Sequence, residues 1–162
     1  MLRKVLFVGT IGGLIVILAQ PVFTQNANNS NATIVGSWEF TATPSASSSE
    51  PSVPGLATFT SDGSLIEDDA TELAPGHATP GHGIWQPSPA VPNLFLRFTN
   101  IVAHPDASHT TRRIVTMTVG LDSTGNEFSG GFSFEVVDPS GRVLTTGTGT
   151  IVAHRLVHPA LP

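Results

Sequence analysis

Hydrophobic and polar residues alternate along most of the chain after residue 34, which is typical of β-strands with one buried and one solvated face. In the stretch Val35–Thr43, Gly36, Trp38 and Phe40 fall on one face and polar residues on the other. The same period recurs further along. The pattern predicts eight strands: Val35–Thr43, Leu56–Thr60, Leu65–Asp68, Gly83–Gln86, Leu94–Val102, Arg112–Asp122, Glu127–Val137 and Val143–Leu156.

Turn signals connect these strands in hairpin order. Asp62-Gly63 lies between two apolar runs, which is a strong hairpin signal. Asp138-Pro139-Ser140-Gly141 has Pro and Gly at the positions that a turn favours. Gly147 and Gly149 predict a bulge or sharp bend in the last strand. The predicted fold is therefore all-β, an antiparallel eight-stranded up-and-down barrel. A two-sheet sandwich, which uses the same alternation, is the alternative.

The first 25 residues have the pattern of an export signal. Arg3 and Lys4 precede the apolar stretch Val5–Ala19, which is short for a membrane span. We expect residues 1–25 to be a signal peptide, with an uncleaved anchor as the alternative. Residues 26–34 are predicted to be a disordered polar linker and residues 35–158 a single barrel domain. The expected location is secreted or periplasmic.

Composition narrows the possible partners. Of the seven Lys and Arg residues, Arg3 and Lys4 lie in the leader, which leaves five against twelve Asp and Glu residues. A domain with so few basic residues is a poor partner for nucleic acid or for anionic membrane surfaces. Because the chain has no Cys, disulfides and thiolate catalysis are excluded. A small hydrophobic ligand is the expected partner, and no cofactor is predicted.

A short motif links the two ends of the barrel domain. Gly36-Ser37-Trp38 lies on the first predicted strand, and Arg155 lies near the end of the last. This pattern resembles calycins and lipocalins, in which a Gly-x-Trp packs beneath an Arg of the last strand and closes one end of the barrel. The chain also resembles small exported bacterial proteins of calycin-like shape, through Phe59–Gly63, Pro80–Trp85 and Asp138–Gly141. The resemblance implies a closed barrel but does not indicate a ligand.

The densest chemical feature is a loop with two Pro-Gly-His units that end at His77 and His82. Two imidazoles can ligate zinc or copper, with a carboxylate from Asp68, Asp69 or Glu72. No rigid spacing fixes the pair, so a solvated loop is preferred and no metal site is predicted. His82 immediately precedes a strand, and we expect its ring to enter the barrel mouth, as a ligand contact or a general base. A structural His bonded to the backbone is the alternative.

Three functional hypotheses differ in whether the aromatic residues fill the barrel or line a cavity. If the barrel is hollow, it binds a small apolar or amphipathic ligand, with walls from Trp38, Trp85, Phe98 and Phe132 and a polar contact from His82. The second hypothesis is an enzyme of the cyclase or isomerase type with His82 as acid or base. The third is a structural module with a filled core. Eight strands are at the limit between a packed interior and room for one small ligand, so the sequence leaves these open.

Three glutamates on predicted strands are further candidates for an acid or base. Glu39, Glu67 and Glu135 lie on predicted strands, and a carboxyl group that faces an apolar interior is a candidate acid or base. Alternation places Glu39 and Glu135 on polar faces.

Overall fold

The computed structural model describes residues 33–45, 50–70, 78–88, 93–104 and 109–157. The predicted signal peptide, the linker up to residue 32, Glu72 and His77 lie outside these ranges. Within them, no helix has the length and apolar character needed to cross a membrane.

Eight antiparallel strands form a closed barrel in which each strand pairs with its neighbours in sequence and the last pairs with the first. The all-β up-and-down barrel is thereby confirmed, and the sandwich is wrong. Each predicted strand is present, with small shifts at its ends. The strands are β1 (Gly36–Pro44), β2 (Val53–Phe59), β3 (Ser64–Asp69), β4 (Gly81–Pro87), β5 (Asn93–Ala103), β6 (Thr110–Leu121), β7 (Glu127–Val137) and β8 (Val143–Arg155).

The interior of the barrel is built from large rings that lie opposite glycines. In register across neighbouring strands, each of four interior phenylalanines faces a glycine: Phe40 with Gly55, Phe98 with Gly83, Phe132 with Gly149 and Phe134 with Gly147. A Cβ atom at Gly149 would lie only 2.5 Å from Cζ of Phe132. The missing side chains therefore give the rings their room, in the manner of aromatic–glycine pairs in sheets.

This arrangement corrects the predicted role of Gly147 and Gly149. The irregularity in the β7–β8 pairing lies between Val136 and Val137, on the opposite strand. A glycine inside a strand marks either a bulge or a close approach of another group. Here both glycines accommodate rings, so the prediction of a bulge at these two positions is wrong.

We predict that Gly149→Ala destabilises the barrel by about 2 kcal/mol or more, because its methyl group would collide with the Phe132 ring and with the carbonyl oxygen of Thr43. Gly131→Ala is the matched control. Its Cβ would meet its nearest neighbour at 3.8 Å, an ordinary contact. Urea unfolding of both variants measures the difference, and equal stability of the two would contradict the ring-over-glycine account.

Aspartates organise three of the turns. In the β6–β7 turn, Asp122 Oδ2 accepts a hydrogen bond from the Thr124 hydroxyl at 2.6 Å, and Oδ1 accepts from the backbone N–H of Asn126 and of Glu127 at 2.9 and 3.0 Å. These bonds favour the ionised carboxylate, the Thr124 bond most, and lower the pKa of Asp122 to about 2. Hydrogen bonds also lower the pKa of Asp62 and of Asp138.

These turns predict a loss of stability in acid. The folded-state pKa of Asp122 lies below its ordinary value of 3.8. Its ionised form therefore stabilises the fold above about pH 4, and that contribution disappears as the pH falls through about 2. Asp122→Asn should lower the urea midpoint at about pH 6 and then lose less on acidification than the wild type.

Substitutions at Thr124 provide the control for this pH dependence. Thr124→Val removes the hydroxyl that contributes most to the pKa shift of Asp122, so it should also reduce the acid sensitivity. Thr124→Ser keeps the hydroxyl and should retain the wild-type pH profile. If the wild type, Asp122→Asn, Thr124→Val and Thr124→Ser all lose stability equally on acidification, the turn is not the source of the acid sensitivity.

Candidate functional site

One end of the barrel is closed by Arg155. Its guanidinium carbon lies 4.3 Å from the centre of the Trp38 ring, and Trp38 is fully buried. Nε donates a hydrogen bond to the carbonyl of Gly125 and Nη1 donates to that of Val35, both at 2.8 Å, while Nη2 donates to that of Thr33. The planar guanidinium therefore joins β8, the β6–β7 turn and the segment before β1.

The segment before β1 completes this closure. The Trp38 Nε1 donates to the carbonyl of Ile34 at 2.8 Å, and the Ile34 side chain is buried. Gly36 has φ of +135°, and a Cβ there would lie 2.7 Å from Nη1 of Arg155. A larger residue at position 36 would thus be strained and would also displace the guanidinium. Gly36, Trp38 and Arg155 meet in the contact that the calycin resemblance implies.

We predict that Arg155→Ala costs about 2–4 kcal/mol of stability, because several hydrogen bonds and the cover over Trp38 are lost together. Arg142→Ala is the matched control. The Arg142 side chain is 75% exposed, and its ion pair with Asp138 joins residues four apart. Removal of such an exposed pair should change stability by about 0.5 kcal/mol or less. Equal losses in the two variants, measured by urea unfolding, would contradict a structural role for the Arg155 closure.

The opposite end, where the longer loops lie, carries a polar cluster that the sequence analysis did not identify. Arg113 on β6 and Asp69 at the end of β3 form an ion pair, with 2.7 Å between Nη2 and Oδ2. Two strands separate β3 from β6, so this contact crosses the barrel end. The Arg113 Nε also donates to Oδ1 of the buried Asn100 at 3.0 Å. The sequence did contain one signal for this cluster. Asn100 is a polar residue on the face of β5 that otherwise carries apolar residues such as Leu96 and Phe98.

A carboxylate lies deeper in the same end. Glu67 is 2% exposed, whereas Glu39 and Glu135 are exposed on the outer face. Of the three strand glutamates, Glu67 is therefore the one that faces the interior. It pairs with Gly81 on β4, and a Cβ at Gly81 would lie 2.5 Å from Oε2 of Glu67. Gly81 is thus the residue that leaves room for the carboxylate.

A small cavity lies inside the part of the barrel that the structure describes. A cavity of about 10 Å³ lies beside Glu67, which is about the room that a single water needs. The other residues that border it are apolar: Phe40, Ala57, Phe59, Leu65, Leu96, Phe98, Met117, Phe128 and Ile151. Of the residues expected to line a ligand cavity, Trp38, Trp85, Phe98 and Phe132 all pack in or against the hydrophobic core.

His82, the fifth residue expected to contact a ligand, does not pack in or against the core. β4 begins at Gly81, two residues before the predicted start, and the alternation places Gly81 and Gly83 inside and His82 outside. Its side chain is exposed and lies between Ile66 and Thr99 of the neighbouring strands. The expectation that this ring enters the barrel mouth is therefore wrong. The inward-facing positions of β4, Gly81 and Gly83, have no room for a side chain because Glu67 and Phe98 lie against them.

Within the described ranges, no three His, Asp or Glu side chains come close enough together to hold a metal ion. The hypothesis of a metal site on the loop involves His77 and Glu72, which lie outside those ranges. No protein-family model, curated protein or solved structure matches this chain.

Proposed function

We propose that this chain is an exported, calycin-like barrel with a filled core, which serves as a rigid structural module and does not carry a ligand in its interior. The observation that supports this most is the interior cavity of about 10 Å³. A cavity that binds a molecule as small as benzene has a volume of roughly 150 Å³. The cavity beside Glu67 is smaller than that by about an order of magnitude.

Closure at both ends supports the same proposal. Arg155 and the buried Ile34 seal one end, and the Arg113–Asp69 ion pair crosses the other. The calycin-like assignment is supported by the closed eight-stranded barrel and by the Gly36, Trp38 and Arg155 contact. Export is supported by the charged and apolar pattern of residues 1–25.

Binding of a small apolar or amphipathic ligand in the interior is the second candidate. One observation favours it: Glu67 and Asn100 are buried polar side chains at the loop end, and buried polar groups carry an energetic cost that function often explains. A ligand would have to displace core side chains such as Phe98 or Met117.

A cyclase or isomerase on this barrel is less well supported. Such an enzyme must enclose its substrate, so the small interior volume counts against it as well. His82, its proposed acid or base, also lies on the outer face.

The filled-core proposal predicts that benzene and a neutral lipophilic dye, N-phenyl-1-naphthylamine, produce no saturable rise in the thermal midpoint of the wild type. Met117→Ala, which is predicted to cost about 2–5 kcal/mol, opens a cavity in the core and should gain stability from benzene. Leu144→Ala, at an exposed position, is the control and should respond like the wild type. Saturable binding to the wild type would reject the filled core and favour the ligand carrier.

A further inference from the structure

A groove lies on the outer surface of the barrel, where β7 and β8 approach the loop end. Its volume is about 340 Å³, and small-molecule sites occupy roughly 300–1,000 Å³. It is lined by Ser45, Ser133, Thr146 and Thr148, which carry hydroxyl groups, and by Glu135. The groove shares no lining residue with the cavity in the interior, so the two are separate spaces.

The strand register brings the polar side chains of the groove together in pairs. Ser133 lies opposite Thr148, and Glu135 lies opposite Thr146. All four residues are exposed. Ser45 borders the first pair, because its backbone N–H donates a hydrogen bond to the carbonyl of Thr148 at 2.9 Å. Directly opposite side chains are about 5 Å apart at Cβ, so one small ligand can contact both members of a pair.

The floor of the groove has no side chain that projects outward. Phe134 and Gly147 occupy the intermediate position between the two polar pairs. The Phe134 ring lies on the inner face, where it would collide with a Cβ at Gly147. The outer face therefore presents backbone at this point, with short polar side chains on either side.

The charges of the groove determine which ligands it can accept. Glu135 has no ion-pair partner in the part of the chain that the structure describes. Its carboxylate is therefore available to accept hydrogen bonds, and it repels anionic ligands, which no basic lining residue would attract. A peptide strand that adds to a sheet needs a free edge, and the closed barrel offers none.

We propose that this groove binds a neutral saccharide. The Glu135 carboxylate accepts from two neighbouring sugar hydroxyls, which gives charge-assisted hydrogen bonds. The hydroxyl groups of Ser133, Thr146 and Thr148 can each donate and accept, so they bond to further hydroxyls or to the ring oxygen of the sugar. Because the site lies on the outer surface, it is compatible with a filled core and goes beyond the structural role proposed above.

The experiment is a nuclear magnetic resonance titration of the folded wild-type protein with cellotetraose and with maltotetraose. At least one of these neutral sugars should shift the backbone amide resonances of Ser133, Gly147 and Thr148 saturably, with half-saturation on the order of 1 mM. The resonance of Gly63, in the β2–β3 turn at the other end, should not move. Tetragalacturonate, an anionic oligomer of the same length, should bind at least tenfold more weakly. No saturable shift with either neutral sugar, or equal binding of tetragalacturonate, would overturn the proposal.

Matched variants locate the binding in the groove. Glu135→Gln keeps the size of the side chain and removes its charge, so binding should weaken about tenfold or more. Thr148→Val replaces the hydroxyl by a methyl group and should weaken binding about fivefold. Glu39→Gln and Thr41→Val make the same changes at exposed positions of β1 outside the groove, and both should bind like the wild type. Unchanged binding in the two groove variants, or equal losses in all four, would overturn the proposal.

Discussion

The fit of aromatic rings over glycines is the constraint on which the rest of this barrel depends. An eight-stranded barrel encloses so little space that large inward-pointing rings need small residues beside them. Phe132 over Gly149 and Phe98 over Gly83 meet that condition in direct cross-strand register. The same pairs fill the interior, and they require glycine on the inner face of β4.

The two ends of the barrel are closed by arginines of different kinds. Arg155 donates to backbone carbonyls and covers Trp38, so its partners are neutral groups. Arg113 is paired with the carboxylate of Asp69 and bound to the amide of Asn100, above a buried glutamate. The buried polar side chains therefore lie at one end, and the Arg155 closure lies at the other.

Close packing and buried polar groups occur together in this barrel. The cavity beside Glu67 has a volume of about 10 Å³, and Glu67 and Asn100 introduce two polar side chains into an apolar surrounding. Burial of such groups is tolerable when their hydrogen bonds are completed.

Local pattern alone determined most of the fold. Alternation predicted the eight strands and their buried faces, because a strand places successive side chains on opposite sides whatever its neighbours are. The resemblance of Gly36, Trp38 and Arg155 to the calycin pattern implied the closed end. The tertiary structure decided which rings meet glycines, because that depends on register between strands. It also decided that Arg113 reaches Asp69 across two strands, and that Glu67 is the buried glutamate. The tertiary structure also decided the position of His82. Because β4 begins at Gly81, His82 lies within the strand, and alternation with the inward-facing Gly81 and Gly83 directs its side chain outward.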